Sequence, residues 1–189
     1  MTVSEAVHSH PISRLRTPEQ SELPDNARAL LAVHHHENWI RALSLNPDAA
    51  DRFASYFGSL FAGEGRRLPL RERELIAVIV SATNGCGLCE IHHTRTLGDI
   101  LDDRGRAHRI ALDDHLVDLT PREHALAELA RKITLTPKSV GPADFEHLRA
   151  VGLTDEEILE SIETSAWFNH TNRIFISLGV IPDEKYFAK

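Results

Sequence analysis

Hydrophobic residues recur along most of this chain at the spacing of amphipathic helices, with polar residues between them. Outside one apolar run, no segment alternates with the two-residue period of a half-buried strand. We therefore predict an all-α fold. The predicted helices cover roughly residues 26–44, 47–63, 70–84, 86–98, 104–112, 121–134, 142–151 and 154–178.

Several of the predicted helices begin or end at residues that are typical of helix boundaries. Asn46 followed by Pro47 fits an N-cap with proline at the first helical position. Thr120 and Thr154 each precede a glutamate three residues on, which fits a capping box. Gly179 suits a helix end.

For the apolar run of residues 75–80, the hydrophobic pattern distinguishes least clearly between helix and strand. Their β-branched content alone is compatible with a buried strand. Charged residues precede the run, and Ser81, Ala82 and Thr83 continue it without a turn signal. We therefore predict that this run belongs to a helix.

The predicted organisation is one helical domain preceded by an arm. Residues 1–24 are polar and contain three prolines, which predicts an extended N-terminal arm that is able to wrap a neighbouring subunit. Residues 25–189 form the single domain, and 42% of the chain is hydrophobic, enough for a sizeable core.

Charge and composition narrow the function classes. The chain has 28 acidic against 21 basic residues and a formal charge of −7, so we expect no nucleic-acid partner. No apolar run approaches the length of a membrane span, and the polar start lacks a signal core, so we expect no membrane association and a cytoplasmic location. No Gly-x-Gly-x-x-Gly motif is present, and we expect no cofactor.

Cys86 and Cys89, the only two cysteines, are separated by two residues. In a reducing compartment such a lone pair is more often catalytic or metal-binding than structural. On a helix that begins at Cys86, the side chains of Cys86, Cys89 and His93 fall within about 60° of one face. The free amides and dipole of the first turn favour a thiolate at Cys86, and His93 is placed to exchange a proton.

A carboxylate on the preceding helix is a candidate partner for His93. Asn84 and Gly85 suit a turn that folds the two helices back beside each other, which brings Glu74 towards His93. The alternative for Glu74 is a surface carboxylate that complements the dipole near a helix start.

These residues form the pattern Glu74-x11-Cys86-x2-Cys89-x3-His93. The pattern resembles the signature of the alkylhydroperoxidase D (AhpD)-like family within the carboxymuconolactone decarboxylase superfamily, in particular its peroxidase-related branch. Asn84, the pair of His92 and His93, and residues 148–158, 167–169 and 172–174 also resemble that family.

The resemblance implies a bundle of antiparallel helices that assembles into a homo-oligomer, and a thiol peroxidase cycle. Cys89 would attack the hydroperoxide substrate and become a sulfenic acid, and Cys86 would resolve it as a disulfide. Glu74 and His93 would form the proton relay. The resemblance also implies a dithiol compound or protein as electron donor.

One position departs from the family pattern. Characterised AhpD proteins carry a second histidine just before the second cysteine, where this chain has Leu88. Either the relay is shorter here, or His92 substitutes for that histidine. Members that decarboxylate the lactone generally lack the cysteine pair, so this activity is not expected.

Two other functions remain open at this point: a catalytically weak, redox-responsive binding protein and a metal-binding protein of the same fold. Zinc usually takes four ligands, whereas Cys86, Cys89 and His93 supply three, with His92 or Glu74 as a strained fourth. We therefore expect no metal.

The remaining histidines and large aromatic residues have simpler interpretations. We expect His92 on a solvated helix surface. His34, His35 and His36 would point about 100° apart on a helix and would not hold one ion together. Packing in the core or a subunit interface is expected of Trp39, Trp167 and Phe168, and a structural role of Asn172 and Arg173.

Overall fold

The computed structural model describes residues 11–62 and 65–187. Within those ranges the all-α prediction is confirmed, since the regular elements are helices and no strand occurs. Short 3-10 helices cover Gln20–Glu22, Asp114–Leu116, Pro137–Ser139 and Glu184–Tyr186. The α-helices are α1 (Asp25–Val33), α2 (Asn38–Leu43), α3 (Pro47–Phe61), α4 (Leu70–Asn84), α5 (Gly87–Leu101), α6 (Arg104–Leu112), α7 (Pro121–Leu135), α8 (Pro142–Ala150) and α9 (Asp155–Leu178).

The predicted helix boundaries are confirmed where side chains cap them. The Asn46 side chain accepts a hydrogen bond from an amide of the first turn of α3. Thr120 and Thr154 form complete capping boxes at the starts of α7 and α9. These contacts satisfy amides that have no partner inside the helix, so a short sequence pattern is enough to locate them.

The prediction of one helix over residues 26–44 is wrong. The chain forms α1 and α2 with a turn between them, because His35 and His36 adopt left-handed backbone angles with φ of 53° and 55°. Neither residue is a glycine or proline, which explains why the sequence pattern gave no sign of the break. The assumption that His34, His35 and His36 follow one another on a helix is therefore also wrong.

Helix α4 lies at the centre of the core, where it packs against α5, α7 and α9. Neighbours on several sides bury the whole run of residues 75–80, which is at most 3% exposed at any position. The run therefore lacks the polar face of a surface helix, and this is why its sequence also suited a strand.

A tight turn joins α4 to α5. Gly85 adopts a left-handed conformation with φ of 70°, and the amide of Cys86 donates to the carbonyl of Ser81 over 2.9 Å. Glycine adopts this backbone region without the steric cost that a Cβ atom adds. The turn makes α4 and α5 neighbours and places Cys86 at the N-cap of α5.

The described part of the N-terminal segment contacts the end of α9 in the same chain. The amide of Arg14 donates to Leu178 O over 2.7 Å, and the amide of Ile181 donates to Ile12 O over 3.1 Å. Residues 1–10 of the predicted arm lie outside the described residues, and its contact with a neighbouring subunit stays a prediction. No helix in the described ranges has both the length and the apolar character that crossing a bilayer requires.

Candidate active site

The two cysteines occupy the first turn of α5, and both thiols are reduced. Cys86 is the N-cap residue, 1% exposed, and Cys89 lies one turn further along the helix, 6% exposed. The predicted placement at a helix start is thus present. The N-cap position sets Cys86 beside backbone amides that have no partner inside the helix.

The two thiols differ in acidity. A hydrogen bond with the Cys89 side chain lowers the pKa of Cys86 to about 7, and backbone amides at the start of α5 act in the same direction. The hydrogen bond with Cys86, together with burial, raises the pKa of Cys89 well above its usual value. The reduced pair therefore holds its first negative charge on Cys86, while Cys89 keeps its proton.

Glu74 and His93 meet as a buried pair. His93 Nδ1 lies 2.6 Å from Glu74 Oε2, and their side chains are 13% and 4% exposed. Because an ionised carboxylate only accepts hydrogen bonds, Nδ1 is the donor and Nε2 points away from Glu74. The ring of Phe168 packs edge-on against the imidazole, with centroids 4.6 Å apart. The sequence-predicted pair is therefore formed, and its imidazole orientation is restricted.

A cavity of about 440 Å³ opens beside this pair. Glu74, Cys89 and His93 all line it, and Leu88 lines it at the position where AhpD proteins carry a second histidine. Cys86 is buried at the helix start, so Cys89 is the thiol that meets a molecule in the cavity. Aromatic side chains form much of the wall, among them Trp39, Phe53, Phe57, Phe61, Trp167 and Phe168.

The large aromatic residues belong to the hydrophobic core and also line the cavity. Trp39, Trp167 and Phe168 are buried in the core, as expected from packing, and they also line the cavity. The packing of α3 against α9 brings Phe53 within 4.8 Å of Trp167, measured between ring centroids. The cavity wall is thus continuous with the hydrophobic core, which fixes its shape.

The expectation that His92 lies on a solvated surface is wrong. Its imidazole stacks on the ring of Tyr186, with centroids 3.9 Å apart and an interplanar angle of 23°, and its Nδ1 lies 3.7 Å from Glu37 Oε2. Burial lowers the pKa of His92 to about 4, so the imidazole is neutral at pH 7. His92 lines the cavity, and within the described chain its Nε2 has no hydrogen-bond partner.

Glu37 and Tyr186 are cavity residues that the sequence analysis missed. Glu37 accepts hydrogen bonds from Trp39 Nε1 over 2.9 Å and from the Tyr186 hydroxyl over 3.1 Å, and it pairs with Lys185. These residues come from the turn after α1 and from the last 3-10 helix, and they are 149 residues apart in sequence. No local pattern links them.

Asp113, Asp114 and His115 offer ligand atoms that lie close together, and so does a second group, which includes two cavity residues: Glu37, His92 and Asp183. Its oxygens already have protein partners, because Lys185 occupies Glu37 and the amide of Asn38 donates to Asp183 over 3.0 Å. A metal ion there would have to displace the Lys185 ammonium. We therefore describe this group as a cluster of hydrogen-bonded side chains at the cavity wall.

Comparison with known proteins identifies the family. Residues 47–132 match the Carboxymuconolactone decarboxylase family. The crystal structure of an alkylhydroperoxidase AhpD core, an uncharacterized peroxidase-related protein from Ralstonia eutropha JMP134, is 33% identical and superposes with a TM-score of 0.88, covering 95% of this chain and 96% of that chain. The chain belongs to the carboxymuconolactone decarboxylase family.

Two further proteins are similar to this chain. A peroxidase-related protein from Silicibacter sp. TM1040 is 25% identical, with a TM-score of 0.88 over 95% of this chain and 96% of that chain. The protein YdfG of Bacillus subtilis (strain 168) is 29% identical over 107 residues, which are 57% of this chain and 73% of that protein. The AhpD-like resemblance inferred from the cysteine motif is confirmed at the level of family and fold.

Proposed function

We propose that this protein of the carboxymuconolactone decarboxylase family is a thiol-dependent peroxidase that reduces organic hydroperoxides. The observation that carries the proposal is the cavity in which Cys89 and the Glu74–His93 pair face the same space, with Cys86 one helical turn from Cys89. The peroxidase-related proteins of the same fold support it at the level of the family.

The first step of the proposed cycle oxidises Cys89. Cys86 takes up the Cys89 proton through their hydrogen bond, and the Cys89 thiolate attacks the outer oxygen of the hydroperoxide. The S–O bond forms as the O–O bond breaks, and the leaving alkoxide takes a proton from His93 to become an alcohol. Cys89 is left as a sulfenic acid. Glu74 stabilises the imidazolium and orients its ring.

The second and third steps restore the dithiol. Cys86 gives up the proton that it took from Cys89 and attacks the Cys89 sulfur. The S–S bond forms as the S–O bond of the sulfenic acid breaks, and the departing hydroxide takes that proton and leaves as water. An external dithiol then reduces the disulfide by exchange and is itself oxidised to a disulfide. The adjacent thiol limits over-oxidation, because the sulfenic acid is consumed before a second hydroperoxide reacts with it.

The shape and lining of the cavity favour an organic substrate over hydrogen peroxide. A volume of about 440 Å³ lies in the range of small-molecule sites and far exceeds the space of one peroxide molecule. Rings such as Phe57 and Trp167 offer apolar contact to an alkyl or aryl group, while Cys89 and His93 meet the peroxide oxygens.

A peroxide-consumption assay tests the proposal. We expect wild-type protein with a dithiol donor to consume cumene hydroperoxide with a higher kcat/KM than hydrogen peroxide. Cys89→Ser abolishes turnover, and Cys86→Ser slows it and leaves Cys89 open to over-oxidation, because no Cys86–Cys89 disulfide forms. Turnover by Cys89→Ser equal to that of the wild type contradicts the proposal. Absence of turnover in the wild type with several dithiol donors favours the redox-responsive binding protein instead.

A further inference from the structure

We propose that the side-chain amide of Asn172 donates hydrogen bonds to the sulfur atoms of the cysteine pair and stabilises their charge. Asn172 lies on α9 and is fully buried, at 0% exposure. Buried asparagine costs free energy unless its amide is fully hydrogen-bonded, so each of its polar atoms needs an identified partner.

The orientation of this amide follows from a chain of hydrogen bonds that begins at the surface. Arg173 Nη1 donates to Asn169 Oδ1 over 2.8 Å, and Asn169 Nδ2 donates to the carbonyl of Ser165 over 3.0 Å. A guanidinium has no acceptor and a carbonyl has no donor. These two groups therefore determine which atom of the Asn169 amide is the oxygen.

The same logic extends inward from Asn169 to Asn172. Because Asn169 Oδ1 is an acceptor, Asn84 must direct its Nδ2 towards it, over 3.1 Å. That nitrogen also donates to Asn172 Oδ1 over 3.0 Å. Asn172 therefore presents its oxygen to Asn84 and its Nδ2 to the opposite side.

The Nδ2 of Asn172 faces the cysteine turn. It donates one hydrogen to Ser81 Oγ over 3.2 Å, and Ser81 is the residue whose carbonyl accepts from the amide of Cys86. The second Nδ2 hydrogen is available to the sulfurs. Hydrogen bonding from Asn172 lowers the pKa of Cys86 and opposes the rise in the pKa of Cys89.

In the proposed cycle, this arrangement stabilises the thiolate on either cysteine. The negative charge moves from Cys86 to Cys89 before attack, and a donor that reaches both sulfurs stabilises it at either position. The role of Asn172 in turnover rests on the proposed peroxidase function, whereas its effect on thiol acidity requires no peroxide. Glu74 from α4 and His93 from α5 line the cavity with Cys89 and bond to each other, as Glu37 and His92 line it further along, whereas Asn172 bonds to Asn84 and Ser81.

The decisive experiment is a thiolate titration of reduced protein by ultraviolet absorbance, comparing wild type with Asn172→Leu. Leucine keeps a similar volume and removes the donor. We expect the first thiolate transition to rise by about one pH unit, which lowers the thiolate fraction at pH 7 by about five-fold, from about one half to about one tenth. Asn38→Leu is the matched control, since Asn38 is also buried but bonds to Ile181 O, and it should titrate as the wild type does. An unchanged transition in folded Asn172→Leu overturns the inference.

A second measurement keeps the inference testable if Asn172→Leu does not fold. In isotope-labelled wild-type protein, we expect the Asn172 side-chain amide resonances to move with the same midpoint as the first thiol titration. Resonances that stay fixed through this transition overturn the inference. Failure of peroxide turnover in wild type, with both titration results as expected, would contradict the proposed function and leave the role of Asn172 intact.

Discussion

Glu74 and His93 lie 19 residues apart in the chain and 2.6 Å apart in the fold, on two helices joined by the Gly85 turn. The antiparallel packing of α4 and α5 brings the carboxylate to the imidazole one helical turn beyond Cys89. This contact connects the local cysteine motif to a group that can move protons in the same cavity.

Removing either member of this pair should slow the oxidation of Cys89. We expect Glu74→Gln and His93→Ala each to lower the rate of the thiol's reaction with cumene hydroperoxide by about 10²- to 10⁴-fold. The double variant should be little slower than either single variant, because the two groups act as a unit. Stopped-flow kinetics under single turnover measures these rates. Glu90→Gln, on the same helix as His93, is the control; a Glu74→Gln rate equal to wild type would make Glu74 merely structural.

The acidity of the pair should depend on both sulfurs. In wild type we expect alkylation by iodoacetamide to rise with a midpoint near the Cys86 pKa of about 7. Cys89→Ala should move this midpoint upward, because it removes the side-chain hydrogen bond that stabilises the Cys86 thiolate. In Cys86→Ser the remaining thiol should react only at higher pH, since burial disfavours its charged form. Ultraviolet absorbance of the thiolate checks the same midpoint independently of which thiol the reagent reaches, and an unchanged midpoint in folded Cys89→Ala would contradict the assignment.

Burial of His92 should make the protein less stable in mild acid. Its pKa is about 4 in the fold and about 6.5 when unfolded, so the unfolded chain binds more protons between these values. With respect to His92, the free energy of unfolding is therefore highest above pH 6.5. It falls as the pH drops towards 4, by up to about 3 kcal/mol.

His92→Gln should remove most of this slope, which urea denaturation at a series of pH values measures. His124→Gln is the matched control because the His124 side chain is exposed to solvent. Equal slopes for wild type and His92→Gln would show that His92 titrates normally.

Leu88 offers a test of the missing family histidine. Leu88 lines the cavity next to Cys89, so Leu88→His brings a second imidazole to the substrate space. Because the site is buried, this imidazole should be largely neutral at pH 7 and able to accept the Cys89 proton. We expect a faster reaction with hydroperoxide, and Leu88→Met serves as a volume control. An unchanged rate in a folded Leu88→His variant would show that proton transfer to a second histidine does not limit the reaction.

The parts of this site that were predictable from sequence rest on short-range geometry. A helix repeats every 3.6 residues, so the spacing of Cys86, Cys89 and His93 already puts them on one face. Capping residues such as Thr120 and Thr154 act on amides within the same turn, and they marked helix starts correctly.

The resemblance of the motif to a known family favoured the relay role of Glu74 over that of a surface carboxylate. The turn at Asn84 and Gly85 made Glu74 a candidate partner for His93, and the packing of α4 against α5 brings the two side chains into contact. Spacing along the chain would not by itself have chosen Glu74 over other carboxylates on that helix.

Only the tertiary structure decided the burial of His92 and the orientation of Asn172, because both depend on contacts between distant segments. His92 is next to His93 in sequence, yet its burial involves Glu37 and Tyr186, which are 149 residues apart in the chain. The orientation of Asn172 depends on hydrogen bonds that start at Arg173 and pass through Asn84 of another helix. Local sequence patterns therefore determined most of the helices and the placement of the cysteine pair on one helix face. The exposure of His92 and the polar groups around the sulfurs depend on which distant segments pack over them and exclude water. No short sequence pattern predicts that packing.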